Sequence, residues 1–218
     1  INNDLKYWLT TKNKPAVLDN LPPKVPAMVE APNLDPMPNK WKVMDIGRPL
    51  KGGQKILNNR WIFFGAGNDI WNSNDQFRFA YQKHKNDFSL SIKVDSLKNT
   101  HQYAKAGLMI RKSLNTNSAH GIINVFPSGN TEFGYRNKNG EMMQATSGPK
   151  IDWENAKLKI TKLGSRIEFL VYSNDLWVEV GELDISKWRK SFYIGIATLS
   201  HDNNQLTKAQ YSEINLKQ

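Results

Sequence analysis

With 218 residues and no cysteine, the chain can form one large β-domain, or a domain plus a tail, but neither a disulfide nor a thiolate metal site. Thirty Lys and Arg against twenty Asp and Glu give a formal charge of +10, which favours anionic partners: acidic glycans, nucleic acid or an anionic surface. The basic residues are spread along the chain without a Lys/Arg-rich block, and no window approaches the roughly 18 apolar residues that span a bilayer.

In chain order, residues 4–9 read as one short helix with Leu5, Trp8 and Leu9 along its apolar edge. No signal peptide is visible, and the opening at Ile1 reads as a processed or excised fragment. Residues 15–38 carry Pro15, Pro22, Pro23, Pro26, Pro32, Pro36 and Pro38. Proline at this density removes backbone donors and favours extended chain. The expected organisation is therefore a linker or strap over residues 1–40 and a globular domain over 41–218. The Pro-rich segment would face an upstream domain or a partner subunit.

From Trp41 onward the sequence breaks into short alternating runs punctuated by Gly, Asn and Asp. Strands are predicted over 41–46, 60–65, 76–82, 88–94, 103–112, 120–126, 131–137, 142–146, 157–162, 166–172, 176–181, 193–199 and 209–216. Turns are predicted at Pro127-Ser128-Gly129-Asn130, Lys138-Asn139-Gly140, Leu163-Gly164-Ser165 and Ser173-Asn174-Asp175. No convincing amphipathic helix interrupts them. The expected fold is all-β: a two-sheet antiparallel sandwich of jelly-roll type.

The run 103–112 organises the rest. Ala104, Ala106, Leu108 and Ile110 point one way, suited to pack against a second sheet. Tyr103, Lys105, Gly107, Met109 and Arg111 point the other way. That second face reads either as a solvated surface with snorkelling cations or as a ligand-facing surface. Elsewhere Phe88, Leu90, Ile92 and Val94 share a face, Phe133 and Tyr135 oppose Glu132, Gly134 and Arg136, and Ile167, Phe169 and Val171 oppose Arg166 and Glu168.

An ordered set of segments then resembles a known family: Asp45-Ile46-Gly47, residues 65–71 (GAGNDIW), Asp75-Gln76-Phe77-Arg78-Phe79, residues 103–111 (YAKAGLMIR), Tyr135-Arg136, Lys157-Leu158, residues 193–197 (YIGIA) and Ser200-His201-Asp202. Over roughly 41–216 the chain resembles the "regulation of enolase"-like domains of the concanavalin A-like lectin/glucanase superfamily. The resemblance implies a β-jelly roll of the kind appended to secreted bacterial multidomain proteins. It carries no established catalytic residues. The stretch Ser173-Asn174-Asp175-Leu176-Trp177 departs from the family's usual turn, which puts that turn in question and not the fold.

Two constellations could carry chemistry. The first is 65–75, whose Asn68, Asp69 and Asp75 are either turn formers or ligands of a structural Ca²⁺, which takes six to eight oxygens. The second is the polar face, with Lys105, Arg111, His120, Asn124 and Arg136, joined from loops by Trp71, His201 and Asp202. A sugar wants an aromatic platform and planar hydrogen-bonding groups, and a uronate wants a bidentate Arg. His201-Asp202 is equally a turn pair.

The favoured expectation is a non-catalytic accessory module of a secreted, periplasmic or cell-surface protein, binding carbohydrate, preferably acidic, on its concave sheet. A structural module docking a larger assembly is the alternative; it expects the polar face to be closed by internal ion pairs. A polysaccharide lyase or glycoside hydrolase is the second alternative, with Tyr103, His120, Asn124 and Arg136 in the lyase roles. The putative concave strands carry no paired carboxylates at i, i+2 or i+4, with Glu132 standing alone there, and no Gly-x-Ser-x-Gly run occurs. Nucleic-acid binding is disfavoured, because the basic residues do not concentrate on one element.

Overall fold

The computed structural model of the chain describes residues 33–188 and 191–218. The chain divides into two units, Ile1–Glu30 and Ala31–Gln218, and the described residues belong to the second. The helix expected over 4–9 and most of the Pro-rich segment lie outside the described residues.

Alternation produces the strands it predicts. The first sheet contains β1 (Lys42–Ile46), β6 (Phe77–His84), β8 (Lys105–Arg111), β9 (His120–Val125), β10 (Thr131–Arg136), β11 (Gln144–Ser147) and β15 (Phe192–Leu199). The second contains β2 (Gly53–Leu57), β3 (Arg60–Gly67), β7 (Phe88–Leu97), β12 (Lys157–Leu163), β13 (Arg166–Ser173), β14 (Leu176–Asp184) and β16 (Asp202–Lys217). Their orders are β1-β6-β15-β8-β9-β10-β11 and β14-β13-β12-β7-β16-β3-β2, so the organising strand β8 lies at the centre of its sheet. A two-residue hairpin, β4 (Ile70–Trp71) with β5 (Asn74–Asp75), stands apart. Among the described residues no helix is long and apolar enough to cross a membrane.

Three of these strands escape sequence pattern. β2 opens on Gly and lacks alternation because it is an edge strand, and β4 and β5 are too short to show a period. The sandwich also reaches upstream of Trp41: Gln54 N–H donates to Asn33 O at 2.6 Å, and Ile56 N–H donates to the Asp35 carboxylate at 2.9 Å. At the β13–β14 turn, Asn174 and Asp175 both take positive φ (50° and 61°), the type I′ geometry that matches strand twist.

The inner faces interdigitate as expected. Leu90, Ile92 and Val94 from β7, Ala106, Leu108 and Ile110 from β8, and Ile167, Phe169 and Val171 from β13 are essentially water-free in one core. Trp153 packs on the edge of that core, half-buried.

The outer face of the first sheet departs from expectation. It is covered by a second apolar cluster of Ile46, Ile70, Phe77, Phe79, Met109, Ile122, Met143, Ala197 and Leu199. The β4–β5 hairpin supplies Ile70, and the chain ahead of β11 supplies Met143. Every residue of β8 is consequently buried, Lys105 and Arg111 included.

Candidate functional site

The register of the first sheet sets the polar residues in rows across its outer face. Arg111 pairs with His120, and His120 with Arg136; two steps along, Gly107 pairs with Asn124, and Asn124 with Glu132. Directly opposed residues share a face.

The first row is a closed ionic cluster. Arg136, Arg111, His120 and Asp75 are fully buried. Arg136 binds Asp75 through two nitrogens, at 2.9 and 3.2 Å, and Arg111 reaches the same carboxylate at 3.1 Å. Most of the remaining guanidinium donors are spent on carbonyls: Arg111 on Ser113 (2.8 Å) and Asn115 (2.6 Å), Arg136 on Ser118 (3.0 Å), Asn72 (2.8 Å) and Glu141 (2.8 Å); Arg111 Nη1 meets Met109 Sδ at 3.3 Å. The two arginines thus fasten the β4–β5 hairpin and two loops onto the sheet. This corrects the expectation that Arg111, Arg136 and His120 face a ligand. Desolvation would make bare guanidiniums costly here, and Asp75 with the loop carbonyls satisfies them instead.

Burial lowers the Arg111 pKa to about 10, so it stays charged at neutral pH, and pushes the His120 imidazole down to about 4. His120 is therefore neutral in the native state. Because its folded pKa lies below the unfolded value near 6.5, its contribution is complete above pH 6.5 and is lost as pH falls towards 4. Melting temperature should fall across that window, and His120→Asn, which keeps a donor towards Ser118 O, should flatten the fall. His84 is shifted the same way by burial, so some slope should persist. An unchanged slope in the variant would remove His120 as its source.

The second row opens onto a cleft of about 560 Å³ lined by Asp69, Trp71, His101, Gln102, Tyr103, Lys105, Phe126, Glu132 and His201. Lys105 forms an ion pair with Asp69, and His201 Nε2 lies 3.3 Å from the other oxygen of that carboxylate. Asp69 is fixed by accepting from Ile70 N–H at 2.8 Å. The turn that presents Asp69 requires Gly67, at φ 134°, because a Cβ there would strike the Gln76 carbonyl. His101 and His201 stack 4.2 Å apart with planes 7° from parallel, and His101 Nδ1 accepts from Tyr103 N–H at 3.2 Å. Tyr103 is 49% exposed and meets Phe126 edge-on at 6.0 Å. On the cleft floor, burial raises the Glu132 pKa, Lys105 opposes that shift and Asp69 adds to it.

Of the expected site residues, the structure brings Lys105, Trp71 and His201 together in the cleft, with Asn124 enclosed beside Glu132. Asp202 does not join them; it accepts from Asn204 N–H at 2.8 Å and shapes the start of β16. Nor are the lyase roles gathered, since Tyr103 lies in the cleft while His120 and Arg136 lie in the closed cluster. The Asn68, Asp69 and Asp75 set is divided as well: Asp75 serves two arginines, and Asp69 serves Lys105 and His201. Among the described residues no group of three or more His, Asp or Glu could hold a metal. His101, Phe126 and Glu132 also line the cleft, and the sequence pattern does not single them out as ligand-facing. The available signal was the strict alternation of Glu132 against Phe133 and the placing of His101 and Tyr103 just ahead of the central strand.

No protein-family model matches the chain, and no curated protein matches it significantly. Solved structures do. A Saccharomyces cerevisiae protein of unknown function superposes with TM-score 0.61 at 13% identity, over 82% of this chain and 96% of that one. A legume lectin-like domain from Entamoeba histolytica gives 0.54 at 13% identity, over 82% and 90%. The fold is a two-sheet antiparallel jelly roll. The Bacteroides ovatus protein described as xyloglucan PUL GH43B gives 0.52 at 13% identity, covering 88% of this chain but 40% of its own length. At such identities the likeness concerns the fold alone.

Proposed function

We propose that this jelly roll is a carbohydrate-binding module, an accessory part of a secreted multidomain protein, and that its ligand lies in the cleft on the outer face of the first sheet. The observation that carries this reading is the exposed Tyr103 beside Trp71, Phe126 and the stacked imidazoles, above a floor with polar side chains. A sugar ring has an apolar C–H face and a hydroxyl edge, and a concave site with aromatic walls and a few convergent polar groups suits both. Lectin-like and glycan-related names among the fold neighbours support the same reading.

The interaction-module alternative keeps one point in its favour, since Arg111 and Arg136 are indeed closed by internal ion pairs. It gives no role to an open aromatic cleft. The test is calorimetric titration with a panel of neutral and acidic oligosaccharides, run beside an assay for new reducing ends and unsaturated products. Tyr103→Ala should weaken binding by about tenfold or more, since stacking on a large aromatic is lost while the fold is untouched. Equal affinity for wild type and variant would remove the cleft as the site. Product formation at a useful rate would make the protein an enzyme.

A further inference from the structure

The cleft floor holds hydrogen-bonding capacity that the fold does not use. Of its two carboxylates, Asp69 is occupied by Lys105, His201 and its own turn. Among the described residues Glu132 has no ion pair, and its Oε1 is out of solvent without a hydrogen-bond partner. Directly opposite in register stands Asn124, fully enclosed, with Oδ1 and Nδ2 both lacking a partner. On the far side of Asn124 its neighbour in the row is Gly107, where a Cβ would press on Asn124. Buried polar groups are satisfied in the great majority of cases, so a row with three orphan atoms beside an open cleft calls for a reason.

We propose that Glu132 is the residue that reads the ligand's hydroxyl groups and bars carboxylate-bearing sugars, so that the ligand is a neutral, hydroxyl-rich sugar. This rests on the carbohydrate reading of the cleft and replaces the acidic preference expected from Arg111 and Arg136, which never reach the ligand. An ionised carboxylate accepts only, and sugar O–H groups are the donors such an acceptor lacks here. A uronate would instead bring a third carboxylate to a site with one lysine already paired. Asn124 touches no ligand; it is a positioning residue whose amide, unpaired in this structure and directly opposite Glu132 in register, donates to the Glu132 carboxylate when that carboxylate engages a ligand. Keeping an orphan amide in a sheet lowers stability, a cost typical of functional sites.

The experiment is titration at pH 8 and two salt concentrations with a neutral oligosaccharide from the panel and its uronate counterpart, using wild type, Glu132→Gln, Glu132→Ala, Asn124→Leu and Tyr103→Ala. Wild type should bind the neutral sugar and not the uronate, with little salt dependence. Glu132→Ala should lose about tenfold or more for the neutral sugar, and Glu132→Gln should retain most of it while admitting the uronate. Asn124→Leu should raise Tm, because an unsatisfied amide is replaced by an apolar isostere, yet weaken neutral-sugar binding. A wild type that prefers the uronate, or a Glu132→Ala affinity equal to wild type while Tyr103→Ala falls, overturns the role of Glu132 and leaves the cleft as a sugar site. No binding of any sugar overturns both readings. A raised Tm with unchanged affinity in Asn124→Leu would strike out the positioning role.

Discussion

Asp75→Asn should destabilise the protein by about 3–5 kcal/mol, the range for removing one partner of a buried charge cluster. Its carboxylate is fully buried and takes hydrogen bonds from both Arg111 and Arg136. The amide leaves two guanidiniums 0% exposed with no counter-charge, and at least one of its protons faces another donor. An isolated buried ion pair can often be replaced by apolar side chains without loss. That route is closed here, because the carbonyls of Ser113, Asn115, Ser118, Asn72 and Glu141 accept hydrogen bonds from these arginines. Replacing all three charged residues by apolar ones should therefore remain destabilised. The hairpin carrying Trp71 is held by the same cluster, so sugar binding should weaken along with stability. Urea unfolding of wild type, Asp75→Asn and the triple variant measures the effect. A loss under about 0.5 kcal/mol for Asp75→Asn, the size of an ordinary surface change, would show that the cluster is not what holds the loops.

That cluster marks the limit of what alternation can tell. Period two separates Ala106, Leu108 and Ile110 from Lys105, Met109 and Arg111, and the structure keeps them separate. It does not say which face is wet. Whether a Lys/Met/Arg face meets solvent depends on what lies above it, and here Asp75 and Ile70 come from 36 and 41 positions upstream of Arg111 and Met143 from beyond the next two strands. A long-range partner leaves no local signature. The fold was legible because strand period, turn residues and apolar faces are local properties, and the Asn174-Asp175 turn formed from its own residues despite departing from the family pattern. In the site, Trp71, Lys105 and His201 could be placed from their neighbours in sequence. His101, Phe126 and Glu132 could not, because the cleft is assembled from four separate segments. Glu132 stood alone in sequence because its neighbours in space, Asn124 and Asp69, come from another strand and from a distant loop.

Phe169→Ala should cost about 3–5 kcal/mol, as expected for a fully buried aromatic in a core that cannot collapse. The reason lies in how the two sheets fit. Phe169 of β13 sits over Gly121 of β9, and Phe133 of β10 sits over Gly181 of β14, so each sheet contributes one ring and one bare position. The two rings pack 4.6 Å apart between those glycines. A Cβ on Gly121 would collide with the Phe169 ring, and one on Gly181 with Phe133, so neither glycine tolerates alanine without a shift in the facing sheet. Gly121→Ala alone should then cost about 1–3 kcal/mol by overpacking. In a Phe169→Leu background the added methyl no longer meets the ring tip, although Leu183 Cδ2, 3.2 Å away, keeps the site tight. The same Gly121→Ala change should accordingly cost less there, giving a coupling energy of about 0.5–3 kcal/mol in a double-mutant cycle read by urea unfolding. Strict additivity of the two changes would mean that the ring and the glycine do not face each other across the sandwich.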